Sequence, residues 1–228
     1  MNLKMNIKEL VETEINDLWN LYGAQEFCEV PPLSVEEILD TGIMFIGINP
    51  SLSEEDRIKL IKEKKKQIGF YSLEHRDNHK YFAKFTEIAE KADLPWSHLD
   101  LLYIRETEQR KIASLLKTDD GIQFIYRQLM VSKSVIDKLI SKSEPIIFVV
   151  NNTLARDFLG KDRPSHYDDA QEHWMNYRFV WNDELGTYTC NGHPFFFTSM
   201  LTGQRALDNG SFERLIWHIK FVKSKLGI

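Results

Sequence analysis

Three short apolar runs, "GIMFIGI" (42–48), "HLDLLYI" (98–104) and "PIIFVV" (145–150), constrain this chain more than any other feature. Each is shorter than an ordinary helix and is bounded by turn formers or polar residues, and each lacks the strict alternation of a strand with one wet face. A strand that is apolar on both sides has to be covered on both sides, so these runs call for a sheet with helices against each face. Helical periodicity in the intervening segments supplies the cover. It runs from Ser53 to Gln67, from His79 to Lys91 with Tyr81, Phe82, Phe85, Ile88 and Ala89 on one side, and along "GIQFIYRQLMVSKSVIDKLISK" (121–142). Strand, helix, strand is the rhythm of a parallel α/β sheet.

The flanking segments complete the pattern. Residues 7–22 place Leu10, Ile15, Leu18 and Leu21 at helical spacings, and "LSVEEILD" reads as a second helix capped by Ser34. "NTLARDFLG" predicts a short helix ending at Gly160. "YRFVW" and "GTYTCNGHPFFFTSM" predict paired strands that turn at Asn191-Gly192. The last helix starts near Ser211 and turns Phe212, Leu215, Ile216, Ile219 and Val222 inward. At 228 residues and 43% hydrophobic, the chain can bury one substantial core. The expected fold is α/β, a three-layer α/β/α arrangement around a central, mainly parallel four-stranded sheet. It forms a single domain over 1–228, with a helical extension at 1–40 and an insertion at 161–185.

Composition narrows the functional classes. No apolar run approaches the roughly 20 residues of a membrane span, and the N-terminus "MNLKMNIKELVETEIND" is too charged for a signal peptide, so a cytoplasmic setting with no membrane partner is expected. Cys28 and Cys190 are far apart with no CxxC partner, and read as reduced, structural thiols. A net charge of −5 argues against indiscriminate nucleic-acid binding, and the local basic run "KLIKEKKK" (59–66) reads as a solvated helix face. His166, Asp168, Asp169 and His173 match no known ligand spacing, and the expectation is no metal. Phosphate-binding Walker loops and Gly-x-Ser-x-Gly elbows are absent from the sequence.

Open α/β sheets bind ligands at the carboxyl ends of their strands, which directs attention to the loops at 48–56, 104–110, 150–153 and 198–210. In the first, Asn49-Pro50-Ser51 follows the strand directly. It either holds an ordered water or anion, or is a turn in which Asn49 satisfies backbone groups. The fourth presents Met200, Leu201 and Leu207 around Gly203 and Arg205. These apolar residues either fold back on the core or form a wedge that enters a base stack while Arg205 holds a phosphate.

"IMFIGINPSLS" resembles the first motif of the uracil-DNA glycosylase superfamily, closest to its mismatch-specific uracil/thymine glycosylase branch, in which a strand runs into Gly-Ile/Leu-Asn-Pro-Gly. The likeness extends over about 41–226 in the family's order. "NHKYFAKFTEIAEKADL" is similar to its aromatic-containing helix, "LDLLYIRETEQRK" to its second strand and "EPIIFVVNNTLARDFLG" to its third strand and short helix. "PFFFTSMLTGQRALDNGSFERLIWHIKFV" is similar to its last strand, DNA-inserting loop and final helix.

The resemblance implies a monofunctional DNA glycosylase of base-excision repair. Such an enzyme hydrolyses the N-glycosidic bond of uracil or a related damaged or mismatched base, as a monomer, without cofactor or metal. Its partner is DNA with the target base flipped out of the stack. By position, Asn49 would orient the attacking water, and Ser199 falls where the family's second motif carries His or Asn. Ile48, Pro50 and Ser51 would border the base, Phe70 or Tyr71 would stack on it, and Leu201, Thr202, Gly203, Gln204 and Arg205 would enter the duplex. The alternative is a catalytically inactive member of the same fold that binds nucleic acid or a protein partner. Replacing Arg205 with Ala should weaken DNA affinity and flatten its salt dependence, because each phosphate contact releases counterions. A titration in which affinity and salt slope are both unchanged would remove the loop from the interface.

Overall fold

The fold is that of a computed structural model, which describes residues 4–74, 79–160, 174–203 and 206–228. The chain opens with strand β1 (Lys4–Asn6) and helix α1 (Ile7–Leu21), which is started by the Asn6 side chain accepting the Glu9 N–H. A 3₁₀ turn (Glu26–Cys28) leads to β2 (Leu33–Val35), β3 (Glu37–Leu39) and β4 (Ile43–Gly47). Helix α2 (Glu54–Glu63) is capped by Ser53 and stops at Lys64, whose positive φ of 52° ends it short of the expected Gln67. β5 (Gly69–Tyr71), a 3₁₀ turn (Lys80–Phe82), α3 (Ala83–Ala92) and β6 (Trp96–Asp100) follow. Next come α4 (Gln109–Leu115), α5 (Asp119–Ile140), β7 (Ile147–Val150) and α6 (Thr153–Leu159). The described chain ends with β8 (Val180–Asn182), β9 (Thr187–Cys190), β10 (His193–Phe197) and α7 (Asn209–Leu226).

The central sheet has six strands in the order β6-β4-β7-β10-β9-β8, rather than the expected four. β6, β4, β7 and β10 pair in parallel, whereas β9 and β8 add antiparallel to the β10 side, so the sheet is mixed. The β9–β10 hairpin turns at Asn191 and Gly192, both with positive φ (49° and 83°), the conformation a type I′ turn demands.

Side-chain alternation divides the interior in two. Met44, Ile46, Phe148 and Val150 enter a cluster with residues of α1, α5 and α6. Ile43, Phe45, Ile147 and Val149 enter another with residues of α3 and α7. β4 is buried along its whole length because both of its faces meet one of these cores and both of its edges are paired.

Two local expectations are corrected. "LSVEEILD" forms β2 and β3, not a helix capped by Ser34. β2 pairs with β5 and β3 with β1, so long-range ladders satisfy its backbone, and the N-terminal extension is mixed rather than helical. The second apolar run forms its strand two residues early, at Trp96–Asp100, because Ile43 pairs with Trp96. Its remainder is a buried extended segment whose Tyr103 and Ile104 N–H groups both donate to Gln128 Oε1 on α5.

Both cysteines are buried and unpaired, and burial raises the Cys28 thiol to about 12. Among the described residues no helix is long and apolar enough to cross a membrane. The two-core packing is testable at Phe148, which is fully buried and stacks on Phe195 at 4.4 Å. Truncating Phe148 to Ala should cost about 3–5 kcal/mol in urea denaturation, whereas a loss below about 1 kcal/mol would contradict this packing.

Candidate functional site

A cleft of about 880 Å³ opens at the carboxyl ends of the parallel strands. All four loops singled out in the sequence reach it, through Ile48, Asn49 and Ser51, through 106–110, through Asn151 and Asn152, and through Met200, Leu201 and Thr202. From β4 the chain passes through α2, β5 and α3 to β6, its neighbour on one side, and from β7 through α6 toward β10, on the other side. Adjacent parallel strands whose connections part in this way leave a crevice between them, the usual ligand site of such sheets.

Asn49 and Pro50 fasten two walls of this cleft together. The Asn49 amide donates to Pro50 O at 3.0 Å and to Glu106 O at 2.6 Å, and Glu106 N donates back to Pro50 O at 3.0 Å. Leu52 and Thr107 add a reciprocal pair, Leu52 N to Thr107 Oγ1 at 3.0 Å and Thr107 Oγ1 to Leu52 O at 2.6 Å. Proline has no N–H to satisfy at this strand end, while its carbonyl accepts twice. With both amide hydrogens of Asn49 committed, Oδ1 remains as an acceptor at the cleft wall. The far wall is set by the Asn152 side chain, which caps α6 by accepting from Leu154 and Ala155 N–H.

Behind Gly47 lies a buried polar cluster. A Cβ placed on Gly47 would fall 2.2 Å from Asp100 Oδ1 and 3.0 Å from His98 Nε2, so the Asp100 carboxyl occupies the space that any other residue at 47 would fill. Gly47 pairs with Asp100 across the sheet, which puts that carboxyl on the same face of the sheet. The side chains of His98 and Asp100 are only 2% and 10% exposed and stand 3.7 Å apart. Tyr71 Oη lies 3.2 Å from His98 Nδ1, and Tyr81, which lines the cleft, bonds the Asn151 side chain. Burial raises the Asp100 carboxyl to about 8 and lowers the His98 imidazole to about 3, leaving both neutral at pH 7. His98 Nε2 has no hydrogen-bond partner among the described residues.

The expected site residues are dispersed. Ile48, Asn49, Ser51, Leu201 and Thr202 line the cleft, whereas Pro50 acts through its backbone. Phe70 lies on β5 with the Lys8 ammonium 5.6 Å from its ring centre, and Tyr71 is turned to His98, so neither borders the cleft. The aromatic residue at the cleft is Tyr81. Leu201 is 3% exposed and packs in the core that holds Phe196 and Phe212, so of its two possible roles it takes the core one and is not a wedge. Ser199 is exposed and outside the cleft lining. Leu207 N–H donates to Met200 O, and Gly203, at φ 90°, accepts from Ala206 N–H. Gln204, Arg205, His166, Asp168, Asp169 and His173 lie outside the described residues.

Periodicity assigned Tyr81 to a helix face and passed over His98 and Asp100 inside an apolar run. The signal available for that pair was two ionisable residues at i and i+2 of a buried strand, a placement that costs free energy unless it is used. No protein-family model, no curated protein and no solved structure matches this chain. What the cleft can do follows from its own geometry.

That geometry fixes a pH dependence. The folded Asp100 keeps a proton to about pH 8 that the unfolded chain releases near 4, so its stabilisation is complete below about pH 4 and lost as pH rises to about 8. His98 works in the opposite sense, with a contribution present above about pH 6.5 and lost as pH falls toward 3. Between about pH 6.5 and 8, stability should therefore fall by on the order of 1 kcal/mol per pH unit, and Asp100→Asn should flatten the slope. Urea midpoints across this range read it directly, and a flat wild-type profile would mean that Asp100 is ionised.

Proposed function

We propose that the chain is a DNA glycosylase-like base-excision protein that hydrolyses the N-glycosidic bond of uracil or a related damaged or mismatched base. The observation that carries this reading is Asn49. It stands at the end of the central strand in the ligand crevice, with both amide hydrogens held by Pro50 and Glu106 and Oδ1 available to a water. An amide is too weak a base to deprotonate water, so its part is to aim the water oxygen at the sugar C1′. As the C1′–N bond breaks, its electron pair leaves with the base. The water supplies hydroxyl to C1′ and, in the end, a proton to the base. Polar groups along the wall stabilise the departing anion, with the backbone near Ile48 and Ser51 placed to contribute. Flipping the nucleotide costs a few kcal/mol, less at a mismatch or in a single strand.

The same reading takes the helices on both faces as a three-layer α/β/α arrangement, supported by the two apolar clusters, and has the protein act in the cytoplasm as a monomer. A second reading, a noncatalytic binder built on the same cleft, is favoured by one observation. Ser199, where the resemblance places a catalytic His or Asn, is exposed and outside the cleft lining.

Labelled single- and double-stranded oligonucleotides carrying uracil, hypoxanthine, xanthine or a G·T mismatch, treated with alkali to cut abasic sites, separate the two readings. The enzyme reading expects base release from at least one of them and a drop on the order of 10²-fold for Asn49→Ala, in protein whose melting shows that it is folded. If no substrate gives a product that depends on Asn49, the binder reading replaces it.

A further inference from the structure

Beyond the 106–110 wall of the cleft lies a second pocket, of about 270 Å³, bounded by the turn at Glu26–Cys28, by Arg57 of α2 and by α4. It shares only Glu106 with the cleft lining. Its walls are apolar at Phe27, Val30, Ile104 and Ile112, and three cations reach it, Arg57, Arg105 and Lys111. Two of them are matched. Arg57 Nη2 stands 2.9 Å and Lys111 Nζ 3.5 Å from Glu106 Oε2, while Glu106 Oε1 accepts from the N–H groups of Thr107 and Glu108 at 2.9 and 3.0 Å. Arg105 has no such match. It forms no ion pair with any described residue, and its Nε is buried without a hydrogen-bond partner among them. Desolvation lowers its pKa from the ordinary value, opposed by the Asp56 carboxylate from beyond ion-pair distance. A guanidinium does not shed its proton in a protein, so a half-buried one without a counter-charge carries a cost that an incoming anion would remove.

We infer that this pocket binds a small organic carboxylate, held by Arg105 with its apolar body against Phe27, Val30 and Ile112. Nε–H and an Nη–H on one edge of a guanidinium donate in parallel to the two oxygens of a carboxylate, an arrangement that gives the idle Nε its partner. The apolar walls select carboxylate over phosphate, because the additional oxygens of a phosphate would be desolvated against Phe27 and Ile104 without donors. The volume lies just below the usual range of ligand pockets, about 300–1,000 Å³, so the body is a single ring or a short chain. The carboxylates of the protein nearby leave the place open. Glu106 is bonded at both oxygens, and Glu26 and Asp56 are exposed at the surface. Occupancy of this pocket requires nothing of the cleft, although Glu106 borders both and its carbonyl accepts the Asn49 amide at 2.6 Å.

Benzoate is the probe, titrated into the full chain carrying labelled Ile, Leu and Val methyls and followed by methyl NMR, with benzyl alcohol, acetate and phenyl phosphate as counterparts. Benzoate should shift the methyls of Val30, Ile104 and Ile112 saturably, with a dissociation constant on the order of 1 mM, and leave those of Ile48 and Leu201 in the cleft where they are. Benzyl alcohol, which lacks the charge, acetate, which lacks the body, and phenyl phosphate should each bind about 10-fold more weakly or worse. Arg105→Gln should lose at least about the same factor, and Arg105→Lys should fall between, since an ammonium keeps the charge without the fork. Arg110→Gln, which removes a cation from the cleft rim, should leave the affinity unchanged. Shifts confined to Ile48 and Leu201, an affinity unaffected by Arg105→Gln, equal binding of benzyl alcohol, or tighter binding of phenyl phosphate overturns the proposal. Should Arg105→Gln not fold, the methyl map of the wild type and the order of the probes decide it alone.

Discussion

Everything in this structure is arranged around the complete burial of β4. Five consecutive buried residues require hydrogen-bonding partners on both edges and apolar partners on both faces. β6 and β7 take the edges, and Ile43 and Phe45 look into one core while Met44 and Ile46 look into the other. The long helices follow from that demand, since α1 and α5 lie against one face and α3 and α7 against the other. A strand enclosed in this way emerges only at its carboxyl end, and the cleft begins there.

The emergence is managed by polar bonding. Pro50 removes one donor that would have needed a partner, and its carbonyl is bonded by both Asn49 and Glu106. Two loops distant in sequence are thereby locked side by side, which gives the cleft a defined wall. The other side of the same strand end carries the opposite condition, an imidazole near Gly47 whose Nε2 has no partner among the described residues.

How far this was legible in the sequence depended on whether a segment's pattern answered to its own surroundings or to a distant partner. The runs at 42–48 and 145–150 were readable because burial on both faces leaves an unbroken apolar signature, and Asn191-Gly192 because few residue pairs accept two positive φ values. "LSVEEILD" has helix-like spacing, but its conformation is decided by ladders to Gly69–Tyr71 and Lys4–Asn6, which no local window contains. Phe70 and Tyr71 lie close in sequence to the first motif, which makes them the expected aromatic wall. β5 instead carries them off to pair with β2, and the turn before α3 brings Tyr81 to the cleft.

The sequence alone determined the α/β class, the central strand and the four loops on which a site would be built, because these rest on patterns of burial and on backbone chemistry that act within a few residues. Tertiary structure alone decided that Leu201 is a core residue, that the Asn49 amide is pinned to Glu106, and that the Asp100 carboxyl fills the side-chain space beside Gly47. Each of these depends on which atoms are brought within a few ångströms across tens of residues of chain. Desolvation and hydrogen bonding are set by those neighbours, so the state of a group such as Asp100 exists only once the chain has folded around it.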